Sequence, residues 1–588
     1  MKAQKSNHRS FFRYLKRIIF IIPVLLAASW VGSPAQNAPV CTAPGDQGAN
    51  YLDIASTGNG TAIVVWRDQR DESNGSDIYA QRVNIHGEVF WAEDGIVVCD
   101  APESQYDPRV VEDGQGGVII AWVDSRRDTA RDIYAQRVDS SGTMLWSDNG
   151  VAVFTATGGS GADVDMISDG QGGAILAWGD ALPGRATFFT QRINSNGYRV
   201  WADDGVHIGG ISANTDARLT TDGSDGAIYA WTDGRNGVQW RSDVYAQHLS
   251  GGGTEQWGAD DVEIIHAEYG QLVRGIVSDM NGGAIIAWYD WRGNNGLYTQ
   301  RVDWGGGKVW PTNGIAVDST DTYTDVAVDI ISDNAGGACF FWTDISFSSD
   351  QTADLYGQRL DPVGSRDWGM DGIPVCDHQG HQFSPMVVHD GSGGMIVTWN
   401  DNRDNDSTSW DIYAQRMRTW GERIWPDEGV CISNEQHQQA NPKIAGCDTL
   451  GAIIVWSDSR NLDTSGKDIY MQGVDIDGNL YDVPTSIYHR SMEKVPAQVT
   501  LHQNYPNPFN PITHIGYELS SFHEVSISIY NVMGQKIKAF PSKSQNPGYH
   551  SVVWDGTSDT GQKVGSGIYY CRISAGSYSV AKKMLLLQ

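Results

Sequence analysis

"GQGGVIIAWVDSRRDTARDIYAQRVDSSG", Gly114 to Gly142, contains two apolar runs set between turns. "VIIAWVD" (118–124) follows a glycine-rich turn, and "DIYAQRVD" (132–139) follows a polar loop and leads into "SSG". Both runs are short, β-branched and aromatic, and bounded by Gly, Asp and Ser. That is the pattern of strands joined by tight turns, and it lacks a helical period. The stretch recurs: "GQGGAILAWGD" stands at 170–180, "NGGAIIAWYD" at 281–290 and "GSGGMIVTWND" at 391–401. "DIYAQR" returns at 77–82, 132–137 and 411–416.

The Trp closing each "GGxIIxW" run falls at Trp66, Trp122, Trp178, Trp231, Trp288, Trp342, Trp399 and Trp456, a spacing of 53 to 57 residues. The Gln of "YAQR" also occurs eight times, from Gln81 to Gln472. A second Trp follows in seven copies, from Trp91 to Trp425. A period of this length means a propeller, solenoid or array. In the second copy, strand a reads "PRVVED" (108–113), b "VIIAWVD", c "DIYAQRVD", and d "TMLW" with "GVAVF" behind it (143–155). Four antiparallel strands in each of eight copies predict an all-β, eight-bladed β-propeller over residues 36–486. The last copy lacks the "W…DGV" ending, whereas "NAPVCTAPGDQ" (37–47) resembles "GIVVCDAPESQ" (95–105). Residues 37–47 are therefore expected to supply the outer strand of the eighth blade and cover its edge.

The chain has 588 residues and a formal net charge of −29. With no basic stripe to neutralise phosphates, nucleic acid and anionic membranes are excluded as partners. Residues 1–35 read as a Sec signal peptide: a basic start, an apolar core from Ile18 to Val31, and small residues before a cut after Ala35. No other segment is apolar and long enough to span a membrane. Seven scattered Cys form no CxxC pair, so zinc is not signalled. Cys41, Cys99, Cys376 and Cys431 read as one repeat position, a small buried side chain on a strand.

The a–b and c–d turns share one face and are uniform. The b–c and d–a loops share the other face and vary, which is where binding sits on a rigid scaffold. Trp240, Trp291 and Trp410 stand in b–c loops, outside the repeat's own Trp positions. Flanked by Asn, Asp and Arg, they could stack on sugars or clamp a peptide, or else cap the blade rim. His378, His381 and His437 lie in d–a loops without metal-ligand spacing. Asp68, Asp124, Asp180, Asp233, Asp290, Asp344, Asp401 and Asp458 follow the repeat Trp in every copy, and six copies add an Arg two residues on. Uniform presence favours a structural Asp–Arg pair over a ring of cation ligands. "DIDGN" (475–479) resembles part of a calcium loop but occupies a hairpin-turn position, so Ca2+ is possible without being signalled, and no other cofactor is. HExxH, GxSxG and P-loop motifs are absent, and "SDGQGGAILAW" (168–178) departs from a sialidase Asp-box because its Trp comes too late. No catalytic or metal residue is singled out.

Composition changes near 490, where Pro residues gather and lead into strands, predicting a linker at 487–500 and an Ig-like β-sandwich of about seven strands at 501–588. "NYPNPFNP" (504–511), "YNVMGQKI" (530–537), "WDGTSDTGQKVGSGIYYCRI" (554–573) and "KKMLLL" (582–587) resemble the type IX secretion C-terminal sorting domain, type A, and the Ig-like domain of the flagellar hook-capping protein. The resemblance rests in part on Asn504, Pro506, Asn507, Pro508, Phe509, Asn510 and Pro511. It implies outer-membrane translocation by bacterial secretion machinery from the periplasm, then an extracellular or outer-membrane-surface location. The expected function is that of a secreted or cell-surface binding protein, its variable-loop face recognising glycan or protein. A secreted carbohydrate-active hydrolase or lyase and a structural surface protein are the alternatives.

Overall fold

The computed structural model describes residues 37–587 except 72–74, 128–130, 156–160, 183–184, 213–216, 236–241, 293–295, 319–326, 346–352, 404–409, 484–499, 502–503, 505–506, 508, 510, 512, 520–522, 546–547 and 576–577. Eight four-stranded antiparallel sheets follow one another along the chain. They are the blades of the expected β-propeller. In blade 2 the strands are a Gln105–Glu112, b Val118–Asp124, c Asp132–Val138 and d Val151–Phe154. Each innermost strand a packs on strand a of the next blade, and that of blade 8, Gln439–Gly446, packs on that of blade 1, Gln47–Gly58. The fourth strand of blade 8 is Ala38–Cys41, antiparallel to Asp468–Val474. Asn37 fastens this seam: its Nδ2 donates to Ile432 O at 3.0 Å, and its Oδ1 accepts from Ser433 Oγ at 2.8 Å and Arg460 Nη2 at 3.0 Å.

The near-continuous apolar character of strand b follows from burial on both faces. Ile119, Ala121 and Val123 pack with Leu176 and Trp178 of blade 3, while Val118, Ile120 and Trp122 pack with Ile63 and Val65 of blade 1. All eight repeat tryptophans are fully buried. Gly150 shows what that packing demands. It sits at φ 81°, and a Cβ there would stand 2.5 Å from Trp122 Cη2.

Strand d is shorter than expected. The "TMLW" segment lies outside it, turning back on strand c through a single bridge between Met144 and Val138. The cause is Gln136, buried at the middle of strand c. Its Nε2 donates to Ser147 O at 2.9 Å, and its Oε1 accepts from the backbone N–H of Arg137 and Trp146, both at 3.0 Å. Trp146 then donates from Nε1 to Ser195 O of the next blade at 3.1 Å, so the turn is also an inter-blade tie.

The C-terminal sandwich has one sheet of Thr500–Leu501, Thr513–Leu519 and Gly548–Trp554. The other holds Lys536–Ala539, His523–Asn531, Gly567–Ala575 and Tyr578–Leu586, with Lys543–Gln545 pairing to His523–Asn531. That makes eight strands among the described residues, against about seven expected. Trp554, Ile529, Ile573 and Met584 fill the space between the sheets. Among the described residues no helix is long and apolar enough to cross a membrane.

Candidate functional site

The repeated carboxylate is the hub of a buried cluster. In blade 2, Asp124 Oδ2 accepts from Trp122 Nε1 at 2.8 Å and from Arg126 Nη2 at 2.6 Å. Its Oδ1 accepts from Arg126 Nε at 2.8 Å and from the Arg126 backbone N–H at 2.9 Å. The guanidinium lies 3.8 Å over the Tyr134 ring, and Nη2 reaches Cys99 Sγ on strand d of blade 1 at 3.1 Å. Burial opposes the Arg126 charge, but the Asp124 hydrogen bonds and charge outweigh it and hold the guanidinium above its ordinary value. Asp68, Asp233, Asp290, Asp401 and Asp458 each take the indole of the preceding Trp and pair with the following Arg. Asp344 has no Arg two residues on, and the side chain of Asp180 lies outside the described residues. With both oxygens engaged, these carboxylates in blades 1, 2, 4, 5, 7 and 8 have a structural role.

One expectation about cysteine needs correction. Cys41, Cys99 and Cys376 do share a position, facing Ile469, Ile78 and Leu355, and each accepts from the repeat Arg. Cys431 does not share it. It faces Tyr413, and Ser433, two residues on, takes the common place. All seven thiols are free. Burial pushes the Cys99 thiol up to about 12, against the pull of the Ala101 backbone and Arg126, so these are inert packing groups.

The variable face breaks the symmetry between blades 7 and 8. There Phe383, Ser384, Asn400, Trp410, Gln438, Ala440, Asn441 and Lys467 line a cavity of about 290 Å³. Its origin can be read from two repeat positions. One is the residue before the strand-c carboxylate: Arg131 in blade 2, Trp410 in blade 7, Lys467 in blade 8. The other follows the first Gln of strand a: Tyr106, Phe383 and Ala440 in the same blades. In blade 2 the pair fills its own space, with Arg131 5.6 Å over Tyr106. In blade 7 Phe383 meets Trp410 edge to face at 5.4 Å, with His381 stacked behind Phe383 at 5.7 Å. In blade 8 Ala440 replaces the ring, and the space stays open.

Hydrogen bonds tie the cavity wall together. Asn400, 7% exposed, accepts the Asn441 backbone N–H through Oδ1 at 3.1 Å. Trp410 O accepts from Gln439 N at 2.8 Å. Lys467 is held by the closing segment: its N–H donates to Asp46 Oδ1 at 3.1 Å and its C=O accepts from Gln47 N at 2.8 Å. No Asp or Glu is among the lining residues, and Lys467 makes no ion pair among the described residues. Sequence reasoning picked out Trp410 and missed Lys467 and Phe383. The signal was there in the two repeat positions compared blade by blade.

The other expected binding residues are not brought to this cavity. Trp291 packs edge to face on Tyr289 at 5.2 Å, against Gly270, as a rim cap. Trp240 lies outside the described residues. His378, His381 and His437 form no metal cluster; among the described residues no group of three metal-ligating side chains exists. In the "DIDGN" turn, Asp475 Oδ1 accepts the N–H groups of Asp477 and Asn479, closing the hairpin. Trp304 and Trp420, which sequence reasoning passed over, stand 74% and 65% exposed on c–d turns.

In the sandwich, the two ends of the resemblance meet. Phe509 packs on Trp554 at 5.5 Å, and its N–H donates to Leu585 O at 2.9 Å. Asn507 Oδ1 accepts Leu585 N at 2.8 Å, and Asn504 Nδ2 donates to Thr513 Oγ1 at 2.9 Å. Pro511 is half-buried, while Pro506, Pro508 and Asn510 lie outside the described residues.

The fold is thus a β-propeller followed by an Ig-like domain, and residues 513–579 match the FlgD Ig-like domain family. Comparison with curated proteins gives no match. Among solved structures the chain is similar to PorZ, a bacterial surface component of the type-IX secretion system of Porphyromonas gingivalis. Identity there is 11% over 91% of this chain and 81% of that one, at a TM-score of 0.26. The β-propeller domain of the Trilobed protease from Pyrococcus furiosus is similar at 12% identity over 64% and 97%, with a TM-score of 0.36. A PL25 ulvan lyase is similar at 13% identity over 76% and 99%, with a TM-score of 0.39.

Proposed function

We propose that the chain is an exported binding protein whose propeller recognises a glycan through the cleft between blades 7 and 8. One observation carries this reading. In a strongly acidic chain, the variable face holds a preformed cavity with an aromatic wall, amide groups and no carboxylate among its described lining residues. Aromatic faces and fixed amides suit a sugar's apolar ring face and its hydroxyls. A hydrolase would need two carboxyl groups flanking the bond it cuts, and the described lining offers neither. Export is proposed to begin with the signal peptide at 1–35. It would end with type IX translocation directed by residues 501–588, supported by the FlgD Ig-like match and by the hydrogen bonds of Asn507 and Phe509 to the terminal strand.

Titration of the mature protein with neutral and acidic oligosaccharides and with peptides tests the binding reading. Saturable saccharide binding without turnover, weakened at least tenfold by Trp410→Ala, is expected. A flat response to every saccharide would sink it. Mass spectrometry of both chain ends in surface and medium fractions tests export. An uncut N-terminus confined to the cytoplasm would overturn that part.

A further inference from the structure

The described lining of the cleft differs in charge make-up from the chain as a whole. The protein carries 71 acidic residues against 42 basic ones, yet the described lining of this cavity holds no Asp or Glu and one Lys. Lys467 makes no ion pair among the described residues, and the closing segment fixes its backbone from both sides. The same backbone contact holds Ser76, Ser242 and Trp410 at this position in other blades, so what distinguishes blade 8 is the lysine side chain itself. Resting on the binding reading above, we infer that the cleft takes an acidic sugar, a uronic acid residue of a polysaccharide, whose carboxylate pairs with Lys467.

Three features select that class. Trp410, backed by Phe383 at 5.4 Å, offers an aromatic wall to an apolar ring face. Asn400 has Oδ1 committed to Asn441 N, which fixes its amide and leaves Nδ2 to donate to a ligand oxygen. One ammonium without an Arg fork or a glycine-rich loop matches a single negative charge better than a phosphate, whose tight recognition draws on several donors. The volume, about 290 Å³, is at the small end for ligand sites and suits one or two sugar units.

The equivalent space in blade 2 is closed by Tyr106 and Arg131, so the open aromatic–lysine pairing is not a general feature of the repeat. Lys467 is positioned by Asp46 and Gln47, so the binding residue depends on ring closure.

The test uses calorimetry on the full mature chain. Probes are oligomers of galacturonate, glucuronate, and mannuronate with guluronate, each beside its neutral counterpart. At least one acidic oligomer is expected to bind tenfold or more tighter than its neutral form. Lys467→Met should remove that difference, bringing the acidic oligomer's affinity down to that of its neutral counterpart, and raised salt should weaken the acidic oligomer more than the neutral one. Thermal melting confirms that the variant is folded, and Lys467→Arg should retain the preference. Equal affinity for acidic and neutral oligomers would overturn the inference and leave the binding reading standing. Loss of neutral and acidic binding alike in Lys467→Met would also overturn it, since the lysine would then be reading shape and not charge. Binding of peptides with no binding of any saccharide would overturn both readings.

Discussion

Asp124 satisfies an indole, a guanidinium and a backbone N–H at once, from a position with no solvent exposure. Removing such a hub strands the groups around it. Asp124→Ala should cost about 3–5 kcal/mol, the range for breaking one partner out of a buried ion pair. Chemical denaturation checks this, and a loss under about 1 kcal/mol would mean that Arg126 finds water instead. Asp77 is the contrasting case. Its counterparts Asp132, Asp243 and Asp468 pair with Arg127, with His266, and with Asn461 and Ser465. Asp77 Oδ1, in a side chain only 5% exposed, has no hydrogen-bond partner among the described residues. Burial, with Asp100, Asp68 and Asp71 nearby, raises its pKa to about 6. A carboxyl raised on folding holds its proton longer in the folded state. Stability from this group is therefore full below the unfolded value and is lost as pH rises through about 6. Asp77→Asn should stabilise by about 1 kcal/mol at pH 7.5 and change little near pH 4. Equal gains at both pH values in thermal melts would refute this account.

At the scale of the strand, the repeat tryptophan dictates its neighbours. Gly150→Ala puts a methyl group 2.5 Å from Trp122 Cη2 and forces a side chain onto a φ of 81°. A loss of about 2–3 kcal/mol is expected, from strain added to overpacking. Trp122→Phe in the same chain should recover part of it, and strict additivity of the two changes would count against the contact. Much of this was legible in the sequence because each blade is the same local solution. "VIIAWVD" is apolar throughout since both its faces are buried, and the Trp–Asp–Arg spacing of two residues each is the spacing of the hydrogen bonds themselves. Strand d was misread because "TMLW" has strand composition, while its backbone is claimed by the buried Gln136, a contact across ten residues that composition does not show. Cys431 was misplaced for a different reason: it stands two residues after Gly429, whereas Cys99 stands four after Gly95, and the strand pairing is otherwise the same in both blades. The cleft was half legible. Trp410 stands out in any loop, but Lys467 acquires meaning only where Ala440 leaves room beside it.

For the whole molecule, stability depends on closure. Each blade buries both faces against neighbours, so a ring open at one place exposes two apolar faces and the edge of Asp468–Val474. A chain beginning at Gln47, without Ala38–Cys41, should melt several degrees lower and associate in a concentration-dependent way. Differential scanning calorimetry and size-exclusion chromatography read the two effects. An unchanged melting point and a monodisperse monomer would show that the strand is decoration. The Lys467 site should weaken in the same truncated chain, because Asp46, which holds the Lys467 backbone N–H, is lost with the deleted segment.

The seam between Asn37 and Gln472 spans 435 positions of sequence. The strand made first therefore waits for a partner that is among the last propeller segments to leave the ribosome. Until then the earlier blades can stack as an open, pliable arc. Completion of the ring is thus a timed event: the blades lock together only once the last of them has been made, and the backbone of Lys467 is fixed in that same step.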